Sequence, residues 1–180
     1  SSDVCSSDLP DVPKPMAPIN GRPFLELQMD YWMAQGIRWF VLSVGYRHEI
    51  IRGHFGDSYR GAAVEYVVEE TPLGTGGGLL LAAKGLAGDA PFLVLNGDTY
   101  FAVPLAELSA FADARDADWA FSLFRSTDTK RYMAMDVAED GRIRALTSPA
   151  AQSHPLANGG VYLVQPRAVQ AFVARAGGAF

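Results

Sequence analysis

Three short stretches of this 180-residue chain carry side chains whose types and spacing could do chemistry on a phosphorylated ligand. The first is Pro13-Lys14-Pro15-Met16-Ala17-Pro18, where Lys14 stands between two prolines. Proline fixes φ, so this lysine has little backbone freedom to lose and can be presented stiffly to a phosphate as a positive point charge. The same residue also reads as an exposed lysine in a proline-rich loop. The second stretch is Pro72-Leu73-Gly74-Thr75-Gly76-Gly77-Gly78, which runs into an apolar helical segment. Glycines let a backbone approach a base or a phosphate closely, and the N–H groups of a helix start favour an anion. The order is not that of a Walker loop, since no Gly-Lys-Ser/Thr follows, and glycine is equally an ordinary turn residue. Just upstream, the two carboxylate oxygens of Glu69 match the adjacent N1–H and N2–H2 donors of guanine in a way that adenine cannot reproduce. An acidic side chain can also accept the single N3–H of uracil or thymine, or be a solvated loop carboxylate. The third stretch, Leu95-Asn96-Gly97-Asp98, closes a short apolar run. Open α/β sheets bind ligands at the carboxyl ends of their strands. A carboxylate there suits Mg2+, which takes hard oxygen ligands from one or two carboxylates plus substrate phosphates. Asp98 as a simple turn residue is the other reading.

Other chemistries find little support. His48, His54 and His154 have no cysteine or second histidine at ligand spacing. The single cysteine, Cys5, excludes an intrachain disulfide and a Cys-rich zinc site, and fits a reducing, cytoplasmic setting. No G-x-S-x-G elbow is present, and no G-x-G-x-x-G opens a helix with an acidic residue about 20 positions later. At 49% hydrophobic and 19% charged the chain is too apolar for disorder, and it lacks an apolar run of about 18 residues, so a soluble protein without a membrane span is expected. The net charge of −5 gives no basic field for nucleic acid, while a local Lys or Arg cluster can still hold a small phosphorylated molecule. Residues 1–8 lack the basic and apolar regions of a signal peptide.

The elements that must position these stretches follow from periodicity. Residues 24–35 repeat apolar side chains at three- and four-residue spacing and stop at Gly36, which predicts a helix. Trp39–Val44 is a short apolar run suited to a strand covered on both faces. An amphipathic helix over 47–55, a strand over 63–68 and a helix over about 76–84 follow. Strands over 91–95 and 119–124 flank a helix over 105–114. Strands over 132–137, 142–146 and 160–164 and a helix over 166–176 complete the chain. The alternation predicts an α/β fold, Rossmann-like, with a mostly parallel sheet and helices on both faces, and a smaller antiparallel section after residue 130. Residues 1–8 are expected to be a non-native or disordered leader, and 9–180 a single domain truncated at both ends.

Taken together, LPDVPKPMAPINGRP (9–23), VLSVG (41–45), ETPLGTGGG (70–78), FLVLNGD (92–98) and NGGVYL (158–163) resemble the sugar-1-phosphate nucleotidyltransferases. Within them the phrases KPMAPINGRPF, LSVGYRHEII, PLGTGGG and NGDT are most similar to the D-glycero-α-D-manno-heptose 1-phosphate guanylyltransferases. The resemblance implies that Lys14 contacts the nucleotide phosphates, that Glu69 and Gly74 contact the base with Thr75 beside them, and that Asp98 is one of two aspartates holding Mg2+. Asn158 and Gly159 would bind the sugar, with Tyr132 next to it. The implied reaction is in-line attack of a sugar 1-phosphate oxygen on the α-phosphorus of a nucleoside triphosphate, releasing pyrophosphate. Heptose 1-phosphate and GTP are the implied substrates, toward cell-surface polysaccharide. The alternatives are UTP or dTTP with a hexose 1-phosphate such as mannose or glucose 1-phosphate, or a catalytically inactive nucleotide-sugar-binding regulator.

The chain departs from the family pattern at four places. The Gly-Gly-x-Gly-Thr-Arg signature expected shortly before Leu9 is replaced by Ser1–Asp8. Arg131-Tyr132-Met133 stands for Arg-Tyr-Gly, Thr147-Ser148 for a Glu-Lys pair, and the second aspartate falls past Phe180. The expectation is that these 180 residues turn over weakly or not at all.

Overall fold

The computed structural model describes residues 12–69, 74–83, 86, 88–126, 134–147 and 155–175. By its contacts the chain divides into two compact units, one running to Ala90 and resuming at Pro166, the other Pro91–Gln165.

In the first unit Lys14–Met16 form a single 3-10 turn, and β1 (Pro18–Ile19) and β2 (Arg22–Pro23) make a small hairpin. Its two turn residues, Asn20 and Gly21, have φ of 51° and 79°, the left-handed pair that a tight hairpin of this twist requires. Helix α1 (Phe24–Ala34) buries Phe24, Leu25, Gln28, Met29 and Trp32, the side chains that recur along one face, and Gly36 ends it at φ 100°. β3 (Trp39–Val44) and β5 (Ala62–Val68) pair in parallel along six residues, with the short β4 (Ser58–Tyr59) antiparallel at the other edge of β5. Between them α2 (His48–Phe55) buries Ile51 and Phe55. The expectation that both faces of β3 are covered holds only for part of the strand. Phe40 and Val44 are buried, whereas Ser43 is exposed and Trp39 lies open with its indole N–H donating to Glu65 Oε1 at 2.9 Å. Helices α3 (Gly74–Ala83) and α5 (Pro166–Arg175) pack on each other.

A polar clasp ties the hairpin to both helices. Arg22 Nη2 donates to Asp30 at 2.6 Å and its Nε to Glu26 at 2.9 Å, while His54 Nε2 meets Glu26 Oε1 at 2.7 Å. The His54 hydrogen bond, helped by that from Arg22, holds the Glu26 carboxyl below its ordinary value of 4.5, against the opposing effect of burial. A carboxyl depressed on folding contributes stability that is complete above its unfolded value and is lost as pH falls through its folded value. Glu26→Gln is therefore expected to lower stability by about 1 kcal/mol near pH 6. The difference from the parent should begin to shrink as the pH drops below 4.5 and vanish once it has passed below the lowered folded value. Urea unfolding of both proteins across that range checks it, and a gap that persists in acid would assign the loss to packing instead.

The second unit is built on a five-stranded sheet, with β6 (Phe92–Leu95), β7 (Trp119–Arg125), β8 (Ala134–Val137), β9 (Ile143–Thr147) and β10 (Leu156–Val164). The α/β class is as expected. The antiparallel pairing reaches back ahead of residue 130, however, because β10 inserts between earlier strands and pairs antiparallel with β6, β7 and β8. Helix α4 (Leu105–Asp113) buries Leu108 and Ala112 and packs on β7 and β10. Its end is tied to the β8–β9 turn, where Arg115 Nε donates to the Asp140 carbonyl at 2.9 Å and the guanidinium lies 3.9 Å over the Phe111 ring.

Candidate functional site

In the first unit, parallel β3 and β5 run side by side and end together, so the residues just past them share one edge of the sheet. Glu69 follows β5 directly, and its N–H donates to the Val44 carbonyl at 2.8 Å. Its half-buried carboxylate accepts a 2.7 Å hydrogen bond from Ser43 Oγ. Gly78 of α3 lies against the same carboxylate: a Cβ there would collide with Glu69 Oε1 and stand 3.2 Å from Ser43 Oγ. The helix begins at Gly74 rather than near residue 76, so Gly74 and Thr75 form its first turn, where backbone N–H groups have no partner within the helix. Glu70 to Leu73 lie outside the described residues. Lys14 is exposed on the 3-10 turn, which packs against α1.

In the second unit, β6 ends at Leu95 and Asp98 stands exposed in the turn beyond it, with Thr99 Oγ1 donating to its Oδ1 at 3.3 Å. This turn is stitched to β10, for Asn96 N–H donates to the Gly160 carbonyl at 2.9 Å. β10 is not a regular strand at this point. Its register with β7 shifts between the paired residues Asn158 and Tyr162, which makes a bulge of Gly159-Gly160-Val161. Asn158 Oδ1 accepts the Gly160 N–H at 2.9 Å, and its Nδ2 donates to the Tyr162 hydroxyl. Gly160 adopts φ 77°, and a Cβ on it would stand 2.8 Å from Asn96 Nδ2. A Cβ on Gly159 would stand 2.7 Å from Ser122 Oγ, the hydroxyl that accepts the Val161 N–H at 3.2 Å.

Two groupings result: Glu69 with the start of α3, and the Asp98 turn with Asn158 and Gly159. No hydrogen bond or ion pair among the described residues ties Lys14 to either. Tyr132 and His154 lie outside the described residues. Sequence reasoning singled out the stretches that hold Gly78, Asn96 and Gly160 without giving these three a role, and it missed Ser43 and Ser122 as parts of these groupings. The two serines left a signal, because they are the polar interruptions of the apolar runs WFVLSV and WAFSLF.

Among the described residues no three His, Cys, Asp or Glu side chains gather to make a metal cage. A single exposed carboxylate at Asp98 is nevertheless a fitting donor for Mg2+, a hard cation that keeps waters and takes most of its other ligands from substrate phosphates. No described helix is long and apolar enough to cross a membrane.

The sequence profile of the Nucleotidyl transferase family matches residues 10–176. The chain belongs to this family. It is 36% identical over 158 residues to a D-glycero-α-D-manno-heptose 1-phosphate guanylyltransferase of Campylobacter jejuni subsp. jejuni, covering 88% of this chain and 69% of that protein. It is 36% identical over 153 residues to the protein of that name from Aneurinibacillus thermoaerophilus, covering 85% and 66%. Among solved structures it is similar to HddC from Yersinia pseudotuberculosis complexed with GMP-PN, at 30% identity and TM-score 0.76, covering 91% of this chain and 72% of that one. The α/β fold of this nucleotidyl transferase is thus that of the nucleotide-diphospho-sugar transferases, and the class of activity these relatives support is sugar-1-phosphate nucleotidyl transfer.

Proposed function

We propose that this nucleotidyl transferase joins a heptose 1-phosphate to GTP, giving a GDP-heptose and pyrophosphate for cell-surface polysaccharide, in the cytoplasm, with 9–180 acting as one domain. The observation that carries the base is the Glu69 carboxylate, held beside the first turns of α3 with one oxygen fixed by Ser43. The relatives' names point the same way, since both are guanylyltransferases of heptose 1-phosphate.

In this reading Glu69 accepts from N1–H and N2–H2 of guanine, while the N–H groups of Gly74 and Thr75 meet the nucleotide at the helix start. Lys14 neutralises phosphate charge. Asn158 and Gly159 receive the sugar at the β10 bulge beside the Asp98 turn, with Tyr132 next to it. Asp98 would hold Mg2+, which supplies charge neutralisation on the phosphates when bound. Displacement at the α-phosphorus needs positioning and charge compensation rather than a covalent nucleophile, which agrees with these residue types.

The test is pyrophosphate release with Mg2+, heptose 1-phosphate and each of the four nucleoside triphosphates, run beside Glu69→Gln. Release confined to GTP supports the reading, and Glu69→Gln should erode the preference for GTP by about 1–3 kcal/mol, the usual worth of a paired donor–acceptor match to a base. Release with UTP or dTTP instead would overturn the assignment of the base. Nucleotide binding without release under any combination would point to a binding protein.

A further inference from the structure

We infer that Ser43 and Gly78 are positioning residues for base recognition, fixing the Glu69 carboxylate in the orientation that favours guanine. The inference rests on the assignment of Glu69 to the base. Three independent restraints converge on this one side chain. Its backbone is fixed to β3 by the hydrogen bond from its N–H to the Val44 carbonyl, 2.8 Å long. Ser43, the residue before Val44, is paired with Val67 in the parallel ladder, and from there its hydroxyl donates to Glu69 Oε1 at 2.7 Å. The third restraint is Gly78, whose missing side chain lets the carboxylate lie directly against α3. A Cβ there would overlap Oε1 and stand 3.3 Å from Glu69 Cδ.

This arrangement suits recognition of two parallel donors. A glutamate free in solution explores many rotamers and must lose that freedom when it binds, whereas one already held has less to lose. Ser43 must act as the donor in this pair, because an ionised carboxylate only accepts. In β3 it is also an exposed hydroxyl in an otherwise apolar run, where apolar packing gives no reason for it.

Inosine triphosphate separates positioning from general stability, because it keeps N1–H and lacks the N2 amino group. The ratio of GTP to ITP affinity therefore reads the second hydrogen bond alone, and a merely structural role would leave it unmoved. We would titrate both nucleotides into the full chain and its Ser43→Ala, Ser43→Thr, Gly78→Ala and Glu69→Gln variants, with melting temperatures recorded for each. Ser43→Ala should lower the ratio about 3- to 10-fold, Ser43→Thr should restore it, and Gly78→Ala should lower it at least as far as Ser43→Ala. If Glu69→Gln lowers the ratio while Ser43→Ala leaves it at the parent value, the inference is overturned and the role of Glu69 stands. If Glu69→Gln leaves the ratio unchanged, both fall together. Loss of affinity for the two nucleotides in equal measure in Ser43→Ala would also overturn it. Should Gly78→Ala not fold, the Ser43 pair of variants decides.

Discussion

Asp98→Asn is expected to abolish the gain in nucleotide affinity that Mg2+ brings, and to reduce pyrophosphate release by about 10²–10³-fold, or about 3–4 kcal/mol. The substitution exchanges one oxygen for an NH2 and removes the charge while keeping the shape. Thr99 Oγ1 can still donate to the remaining oxygen, so the turn after β6 should keep its conformation. What changes is the donor set: Mg2+ favours anionic oxygen, and no cluster of acidic or histidine side chains among the described residues can stand in for Asp98. The measurement is a GTP titration with and without Mg2+ on both proteins, which reads the effect even where turnover is slow. A variant that retains the full Mg2+-dependent gain would remove Asp98 from the proposed metal site.

Gly160→Ala is expected to destabilise the protein by about 2–4 kcal/mol, combining a left-handed backbone with a steric conflict. At φ 77° an alanine is strained before any contact is considered, and its Cβ would stand 2.8 Å from Asn96 Nδ2 and 3.2 Å from Asn96 Cβ. The Asn96 amide can rotate, but its Cβ cannot move away, because the Asn96 N–H bonded to the Gly160 carbonyl holds the two backbones together. The conflict must therefore be relieved by moving the bulge or the Asp98 turn, and sugar phosphate binding should weaken along with stability. Gly53→Ala is the control, for it lies inside α2 with nothing within 4 Å of its Cβ. There the change should stabilise by about 0.5–1 kcal/mol. Urea unfolding of the two variants checks both signs, and equal small effects would show that the bulge yields readily.

The helices and strands were legible in the sequence because their apolar side chains recur at helical or strand spacing, as Phe24, Leu25, Met29 and Trp32 do along α1. The start of α3 was not. A run of glycines reads as a loop, but the Leu79-Leu80-Leu81 segment that follows, with Leu80 buried, carries the helix back to Gly74. The length of β10 was hidden for a related reason. Gly159-Gly160 has the composition of a turn, whereas the strand passes through it as a bulge that Asn96 and Ser122 support from other strands and turns. The candidate residues Glu69, Asp98 and Asn158 were found because motifs are local. Ser43 and Gly78 touch Glu69 from 26 and 9 positions away along the chain, Asn96 meets Gly160 of the β10 bulge from 64 positions away, and spacing carries no record of such contacts.

The central place of β10 also sets a timetable for synthesis. Among the described strands β6 and β7 pair with β10 alone. A nascent chain must therefore carry both as unpaired edges until a segment about 60–70 residues beyond β6 has left the ribosome, an interval of about 3–14 s at ordinary elongation rates. During that wait the ladders of FLVL and WAFSLFR, which have no other partner among the described strands, are open to pairing with other chains.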